Sequence, residues 1–347
     1  MDILSKVKKS IRGLKAYDPG LTQTKYKLDA NENPYDVPAV LKKAILKKAQ
    51  RIPFNRYPDA ATVTLKKNIS KYLGVKTENI FVGNGSDEII EYLMQTFVEQ
   101  GDTVIVPTPT FEMYRIIGVI NGAKIIELPL DKKFDIDEKA IITAVKKTKA
   151  KFVFLAYPNN PTGNCFSENK IMKIIEGVDC FVVLDEAYYD FSGRSFLKCL
   201  KRHKNLIILR TFSKAFSMAA LRMGYMIADR ETVAAVNKVR LPYNINSLSQ
   251  FVAVELLKAD RTKVLEIIIK ERKKLYALIK EKYECVDSNA NFIFLKPKTP
   301  SKAQKVFEAQ SISVRVFTAG PAAGWMRLTV GTPAENKLVR QILKRGV

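Results

Sequence analysis

The sequence predicts an α/β fold in which a large, mostly parallel seven-stranded sheet is covered by helices and joined by a smaller α+β domain. Three observations predict it. Between about residues 80 and 228, short β-rich runs recur: IFVG, TVIVPTP, KIIELPL, KFVFLAYP, CFVVLDEA, NLIILRTF and GYMIA. Amphipathic stretches such as DEIIEYLMQTFVEQ and ENKIMKIIEGV separate several of them. Alternation of this kind argues for parallel strands joined by crossover helices. After the connector LPYNINSLSQ the pattern changes to two long helical segments, followed by FIFLKP, VRVF and WMRLTV with further helices.

The elements divide the chain into three parts. Residues 1–48 are read as an N-terminal arm with part of the small domain, 49–245 as the large domain and 246–347 as the small C-terminal domain. The start, MDILSKVKKSIRGLK, is basic and helix-like but lacks the long apolar segment and cleavage site of a signal peptide. It reads as an amphipathic arm, with a transit peptide as the alternative. No internal repeat or low-complexity tract interrupts the pattern.

Composition excludes several function classes. The 347 residues are 47% hydrophobic, enough for a sizeable core, and no apolar run reaches the length of a membrane span. None of the four cysteines is paired at CxxC spacing, and the single histidine, His203, sits in the polar segment KRHKN. Zinc and thiol-redox sites are therefore not expected, nor is any metal. Inert thiols in a reducing cytoplasm are the plain reading. The net charge of +23 suits nucleic acid, acidic lipid or anionic small substrates. The lysines are scattered along helix-like segments, and no helix-turn-helix, zinc finger or RNP-type motif accompanies them. A solvated basic surface that steers anionic substrates is expected, without a specific nucleic-acid partner.

In sheets of this kind functional residues gather at the carboxyl ends of strands. GNGSDE, Gly83–Glu88, follows the first long strand and opens a helix. Its glycines, Gly85 among them, allow a tight turn, Ser86 or Asp87 caps the helix, and such a helix start binds phosphate. An ordinary capped helix is the alternative. FVFLAYPNNPTG breaks a strand with turn residues and leaves the Asn160 amide at the mouth of the crevice. CFVVLDEAYYDF ends an apolar strand on Asp185, whose burial is costly without a partner. A cationic ring nitrogen is one suitable partner and a protein arginine the other. Tyr188 lies three residues on. In RTFSKAFSMAALRMGY, Lys214 follows the strand NLIIL, flanked by Thr211, Ser213 and Ser217, with Arg222 eight residues on. Partial desolvation favours its neutral amine, a nucleophile toward carbonyls. A snorkelling surface lysine is the alternative, but the other lysines lie in amphipathic runs and this one does not. A ligand with a phosphate for Ser86, Ser213 and Arg222, a cationic ring nitrogen for Asp185, a ring hydroxyl for Asn160 and Tyr188 and an aldehyde for Lys214 meets every requirement. Pyridoxal 5′-phosphate has all four.

TFSKAFSMAA resembles the lysine signature of the class-II pyridoxal-phosphate aminotransferases. With LDANENP, NRYPD, GNGSDE, YPNNPTG, VVLDEAYYDF and WMRLTVGT, the chain resembles the histidinol-phosphate aminotransferases over nearly its whole length. Aromatic amino-acid aminotransferases and a threonine-phosphate decarboxylase look similar. The resemblance implies fold type I and a homodimer with shared active sites. It implies transamination between glutamate and imidazole acetol phosphate, giving histidinol phosphate. It assigns Lys214 to the covalent link with the cofactor, Asp185 to the ring nitrogen, and Asn160 and Tyr188 to the ring hydroxyl. It places Gly85, Ser86, Asp87, Thr211, Ser213 and Arg222 around the phosphate, with Tyr57 reaching the phosphate of the partner subunit's cofactor. Phe111 stands where the family often stacks a tyrosine on the ring. Arg327 and Arg315 are assigned to the substrate's anionic groups and Tyr17 to the substrate side of the N-terminal arm. A non-catalytic basic binding protein on this fold is the reading from a different class, and an intact Lys214 with Asp185 argues against it.

Overall fold

A computed structural model describes residues 2–14, 16 and 24–346. Strand β1 (Tyr26–Lys27) comes first. The large sheet follows as β2 (Ile80–Gly83), β3 (Thr103–Thr108), β4 (Lys124–Pro129), β5 (Phe152–Ala156), β6 (Phe181–Asp185), β7 (Leu206–Thr211) and β8 (Gly224–Ile227). Its spatial order is β2-β8-β7-β6-β5-β3-β4. Only β8 runs against its neighbours, pairing antiparallel with both β2 and β7. The seven strands are the seven apolar runs of the sequence.

The central strands are buried on both faces, so their residues alternate between two cores. Phe152, Phe154, Val183, Ile207 and Leu209 pack with Ile89, Leu93 and Tyr114 from the helices Ser86–Phe97 and Met113–Ile120. Val153, Leu155, Val182, Leu184, Leu206 and Ile208 pack on the opposite side with Ile141 and Ile171 from the helices Glu138–Thr148 and Glu168–Gly177. Asp185, two residues after Val183, therefore leaves β6 on the Tyr114 side, because side chains alternate along a strand.

The smaller sheet has β9 (Glu284–Cys285), β10 (Phe292–Lys296), β11 (Ile312–Ser313), β12 (Arg315–Val316) and β13 (Met326–Thr329) near it. Four of these form an antiparallel sheet in the order β12-β13-β10-β9. The remaining strand, β11, pairs parallel with β1, which ties the N-terminal segment to the C-terminal part. The Asn31 amide N–H donates to Thr329 Oγ1, and Asn291 Nδ2 donates to the Asn31 carbonyl. The segment after β1 is thereby carried to the carboxyl ends of β6 and β7. Among the described residues no helix is long and apolar enough to cross a membrane.

Candidate active site

A cavity of about 910 Å³ opens at the carboxyl ends of β5, β6 and β7, against β12 and β13. The Lys214 side chain is half-buried on its wall, and Nζ donates to the Ala30 carbonyl at 2.9 Å. The lysine is aimed by a closed loop: Phe212 N donates to the Met223 carbonyl and Met218 N to that of Phe212. Desolvation, aided by the Arg327 guanidinium, pulls the Lys214 pKa down to about 8. The amine is thus partly neutral near physiological pH.

Asp185 is the last residue of β6 and 5% exposed. Burial pushes its carboxyl up to about 6, against the hydrogen bonds that favour the ionised form. Those come from Tyr114 Oη to Oδ2 at 2.7 Å and from Ala187 N to Oδ1 at 3.1 Å. A protein arginine does not take this carboxylate. Arg210 instead holds Glu186, the next residue, which points to the other side of the sheet. Ser195 Oγ and Phe196 N complete the shell around Glu186, and Tyr189 lies under the Arg210 guanidinium at 3.7 Å. This network pins the end of β6 to the end of β7, the strand that ends on Asp185 and the strand that leads to Lys214.

One corner of the cavity is built where β8 meets β2. Gly83 pairs with Gly224, and Gly85 turns with φ +87° into the helix that starts at Ser86. A Cβ on Gly224 would lie 2.6 Å from Ser86 N, and one on Gly85 would lie 2.8 Å from Arg222 Nη2. Only glycine admits this approach. The N–H groups of a first helical turn have no partners within the helix and face an anion readily. Arg222 adds its guanidinium, which also donates to Asp87 Oδ2 at 3.0 Å. Ser213 lines the same corner. Thr211 does too, with its hydroxyl engaged to the backbone: Oγ1 donates to the Met223 carbonyl and accepts from Ser213 N.

The opposite wall is cationic. Arg327 donates from Nη1 to Asn160 Oδ1 and from Nη2 to the Asp29 carbonyl. Arg315 lies directly across from Arg327 in the β12–β13 register. Like charges facing each other across strands repel, and an anion between them removes that cost. Tyr188 Oη accepts from Asn31 Nδ2 at 2.9 Å, and its ring stands 6.0 Å from Lys214 Nζ. Phe111 lines the cavity and meets Tyr114 edge-on at 5.5 Å.

Twelve of the residues singled out in the sequence therefore share one cleft, and Gly85 shapes the turn beneath it. Tyr57 does not line it. It stands 80% exposed on a separate hollow, stacked on Tyr243 at 4.3 Å. Tyr17 lies outside the described residues. Three contributors carry no signal of their own in the sequence. The Ala30 and Asp29 carbonyls act through backbone, and Tyr114 looks like one more core residue of an apolar helix face.

The family model for aminotransferases of class I and II matches residues 23–343. The histidinol-phosphate aminotransferase of Caldanaerobacter subterraneus subsp. tengcongensis is 39% identical over 342 residues, covering 97% of each chain. That of Pyrococcus furiosus is 40% identical over 320 residues, covering 91% of each. The crystal structure of histidinol-phosphate aminotransferase from Sinorhizobium meliloti in complex with pyridoxal-5′-phosphate superposes with a TM-score of 0.88. It has 21% identity and covers 98% of both chains. The chain belongs to the class I and II aminotransferases, and within them to the histidinol-phosphate aminotransferase family.

Proposed function

We propose that this protein is a pyridoxal-phosphate-dependent aminotransferase that moves the amino group of L-glutamate to imidazole acetol phosphate, giving L-histidinol phosphate and 2-oxoglutarate in histidine biosynthesis. One observation carries the reading: a desolvated lysine amine, a buried carboxylate and an anion-binding helix start converge in one cleft that two arginines face. The donor set fits the cofactor. Lys214 Nζ would carry the aldehyde, and Asp185 would meet the cationic ring nitrogen that its burial calls for. Ser86, Ser213 and Arg222 would hold the phosphate in the cradle that a Cβ on Gly85 or Gly224 would fill. Asn160 and Tyr188 would meet the ring hydroxyl, and Phe111 the ring face. When bound, the cofactor supplies an aldehyde that exchanges amines and a ring that accepts electrons from the substrate carbon.

The chain's own groups do the rest. Lys214 Nζ takes the proton from the substrate Cα and later delivers it, a general base turned acid whose pKa near 8 suits both tasks. Asp185 keeps positive charge on the ring nitrogen. Arg327, steadied by Asn160, binds one anionic end of the substrate and Arg315 the other. Histidinol phosphate brings a phosphate where glutamate brings carboxylates, and the planar guanidinium fork accepts either.

The shared-site homodimer is supported by exposed large apolar side chains on the two surface segments that the Tyr57–Tyr243 stack joins into a patch. Phe54 is 92% exposed, Tyr57 80% and Leu241 66%. Burial of this patch against a second copy would let Tyr57 approach the other subunit's cofactor phosphate. Tyr17 would join from the arm on the substrate side. The proposed division into residues 1–48, 49–245 and 246–347 puts the strands of the large sheet in the second part and those of the smaller sheet in the third. Four free thiols fit action in the cytoplasm.

The test is turnover of imidazole acetol phosphate with glutamate by wild type and by Lys214→Ala, with circular dichroism to verify folding. The lysine variant should be folded and inactive. Substantial residual turnover would place the chemistry on another group. Outright preference for phenylalanine or phosphothreonine would replace the substrate assignment with an aromatic aminotransferase or a decarboxylase.

A further inference from the structure

Tyr114 occupies a place the reaction as described does not use. It is fully buried in the second residue of the helix Met113–Ile120, just past the carboxyl end of β3. Its ring stacks on Phe154 of β5 at 5.0 Å and 23°, and Phe111 meets it edge-on. The ring is therefore held from both sides, and its hydroxyl is aimed at Asp185 Oδ2 at 2.7 Å. A buried hydroxyl without a partner costs free energy, so the bond is expected to persist. The phenol is pushed well above its ordinary value, by burial first and then by the Asp185 carboxylate, so it stays a donor across the working pH range.

We propose that Tyr114 is a positioning residue for the transamination, holding Asp185 ionised and fixed in orientation so that the proton stays on the cofactor's ring nitrogen. This rests on the aminotransferase reading. The groups facing Asp185 otherwise work against ionisation: burial is the largest influence, and Asp87 and Glu186 both raise its pKa. Among the described residues two hydrogen bonds oppose them, one from the backbone N–H of Ala187 and one from Tyr114. Loss of the phenol makes the carboxylate a stronger base. A stronger base draws the proton from the ring nitrogen toward Oδ2, and the ring then accepts electrons less well. The phenol also links two contacts with one ring, because Phe111, which is proposed to stack on the cofactor, packs on Tyr114.

Tyr114→Phe removes only the hydroxyl, so the ring packing is kept. The full-length variant is loaded with pyridoxal phosphate carrying 15N in the ring, and the nitrogen resonance is followed from pH 6 to 9. Wild type should show a protonated ring nitrogen throughout, and Tyr114→Phe a resonance shifted toward the neutral position. The kcat should fall about 10- to 100-fold, the scale of a lost hydrogen bond to a charged group, with a smaller change in KM. In an Asp185→Asn background the same substitution should have little further effect, because there is no carboxylate left to tune. An unchanged nitrogen resonance, or an equal loss in both backgrounds, overturns the proposal. Tyr114→His, which keeps a donor near the carboxylate, provides a second variant should the phenylalanine protein fold poorly. A His variant with the nitrogen shifted as far as in an unhydrogen-bonded ring also counts against it. Failure of wild type to take up the labelled cofactor at all refutes the aminotransferase reading instead.

Discussion

Arg210→Ala isolates the network that joins the strands leading to Asp185 and Lys214. Arg210 Nε and Nη2 donate to Glu186 Oε2 at 3.0 and 2.8 Å, with side-chain exposures of 4% and 0%. Removing the arginine leaves a carboxylate buried beside Ser195 Oγ and Phe196 N with no countercharge. Breaking a buried pair in this way costs about 3–5 kcal/mol. For a chain of this length that is about 1.4 °C per kcal/mol, a fall in Tm of about 4–7 °C. The pH dependence gives the sharper check. Burial already raises the Glu186 pKa, and the loss of Arg210 raises it further. A folded-state pKa above the unfolded value means that the folded protein binds the proton more tightly, so stability grows as pH falls through the folded pKa. The deficit of Arg210→Ala should therefore shrink from pH 7.5 toward pH 5. Arg210→Met with Glu186→Leu, which removes both charges, should recover much of the loss. Thermal melts at several pH values on wild type and both variants measure this. A deficit under about 1 kcal/mol, or one that does not change with pH, would refute the reasoning.

Asp185→Asn should fold and bind cofactor but lose about 3 kcal/mol or more of barrier lowering, read as kcat against wild type, and near-normal activity would contradict its role. In the cofactor-free protein the same change should also abolish a gain in stability as pH falls through about 6, where the buried carboxyl takes up its proton. Arg315→Ala should cost histidinol phosphate about 10- to 150-fold in kcat/KM and phenylalanine far less, and equal losses would remove Arg315 from the substrate site. Mixed dimers of Lys214→Ala and Tyr57→Phe subunits should regain one working site each, and failure to complement at any mixing ratio would argue against sites shared between subunits.

The large sheet was legible because its central strands are buried on both faces, which leaves uninterrupted apolar runs such as FVFLA and FVVLD. Strands β1, β9 and β11 were not, since two residues impose no period and exist only through their pairing partners. Lys214, Asp185 and Asn160 stood out as polar residues ending apolar strands, a placement that costs energy and so needs a reason. Tyr114 gave no such sign, because a tyrosine on an apolar helix face reads as core until its hydroxyl is located. The Glu186–Arg210 pair was equally hidden. Both residues sit near strand ends like the catalytic groups, and only the side of the sheet each faces separates support from chemistry. Tyr57 is a similar case, since its function would lie with a second copy of the chain.

The antiparallel strand β8 has a consequence for the order in which the protein matures. Strand β2 pairs in its sheet only with β8, and Arg222 meets Asp87 across 135 residues of chain. During synthesis the helix that starts at Ser86 leaves the ribosome long before the arginine that completes its anion corner. The growing chain can assemble β3, β5, β6 and β7 side by side, yet the corner at Ser86 stays open until the edge of the sheet is zipped by the late segment. An anion held at this corner would therefore stabilise the topologically most distant pairing of that sheet.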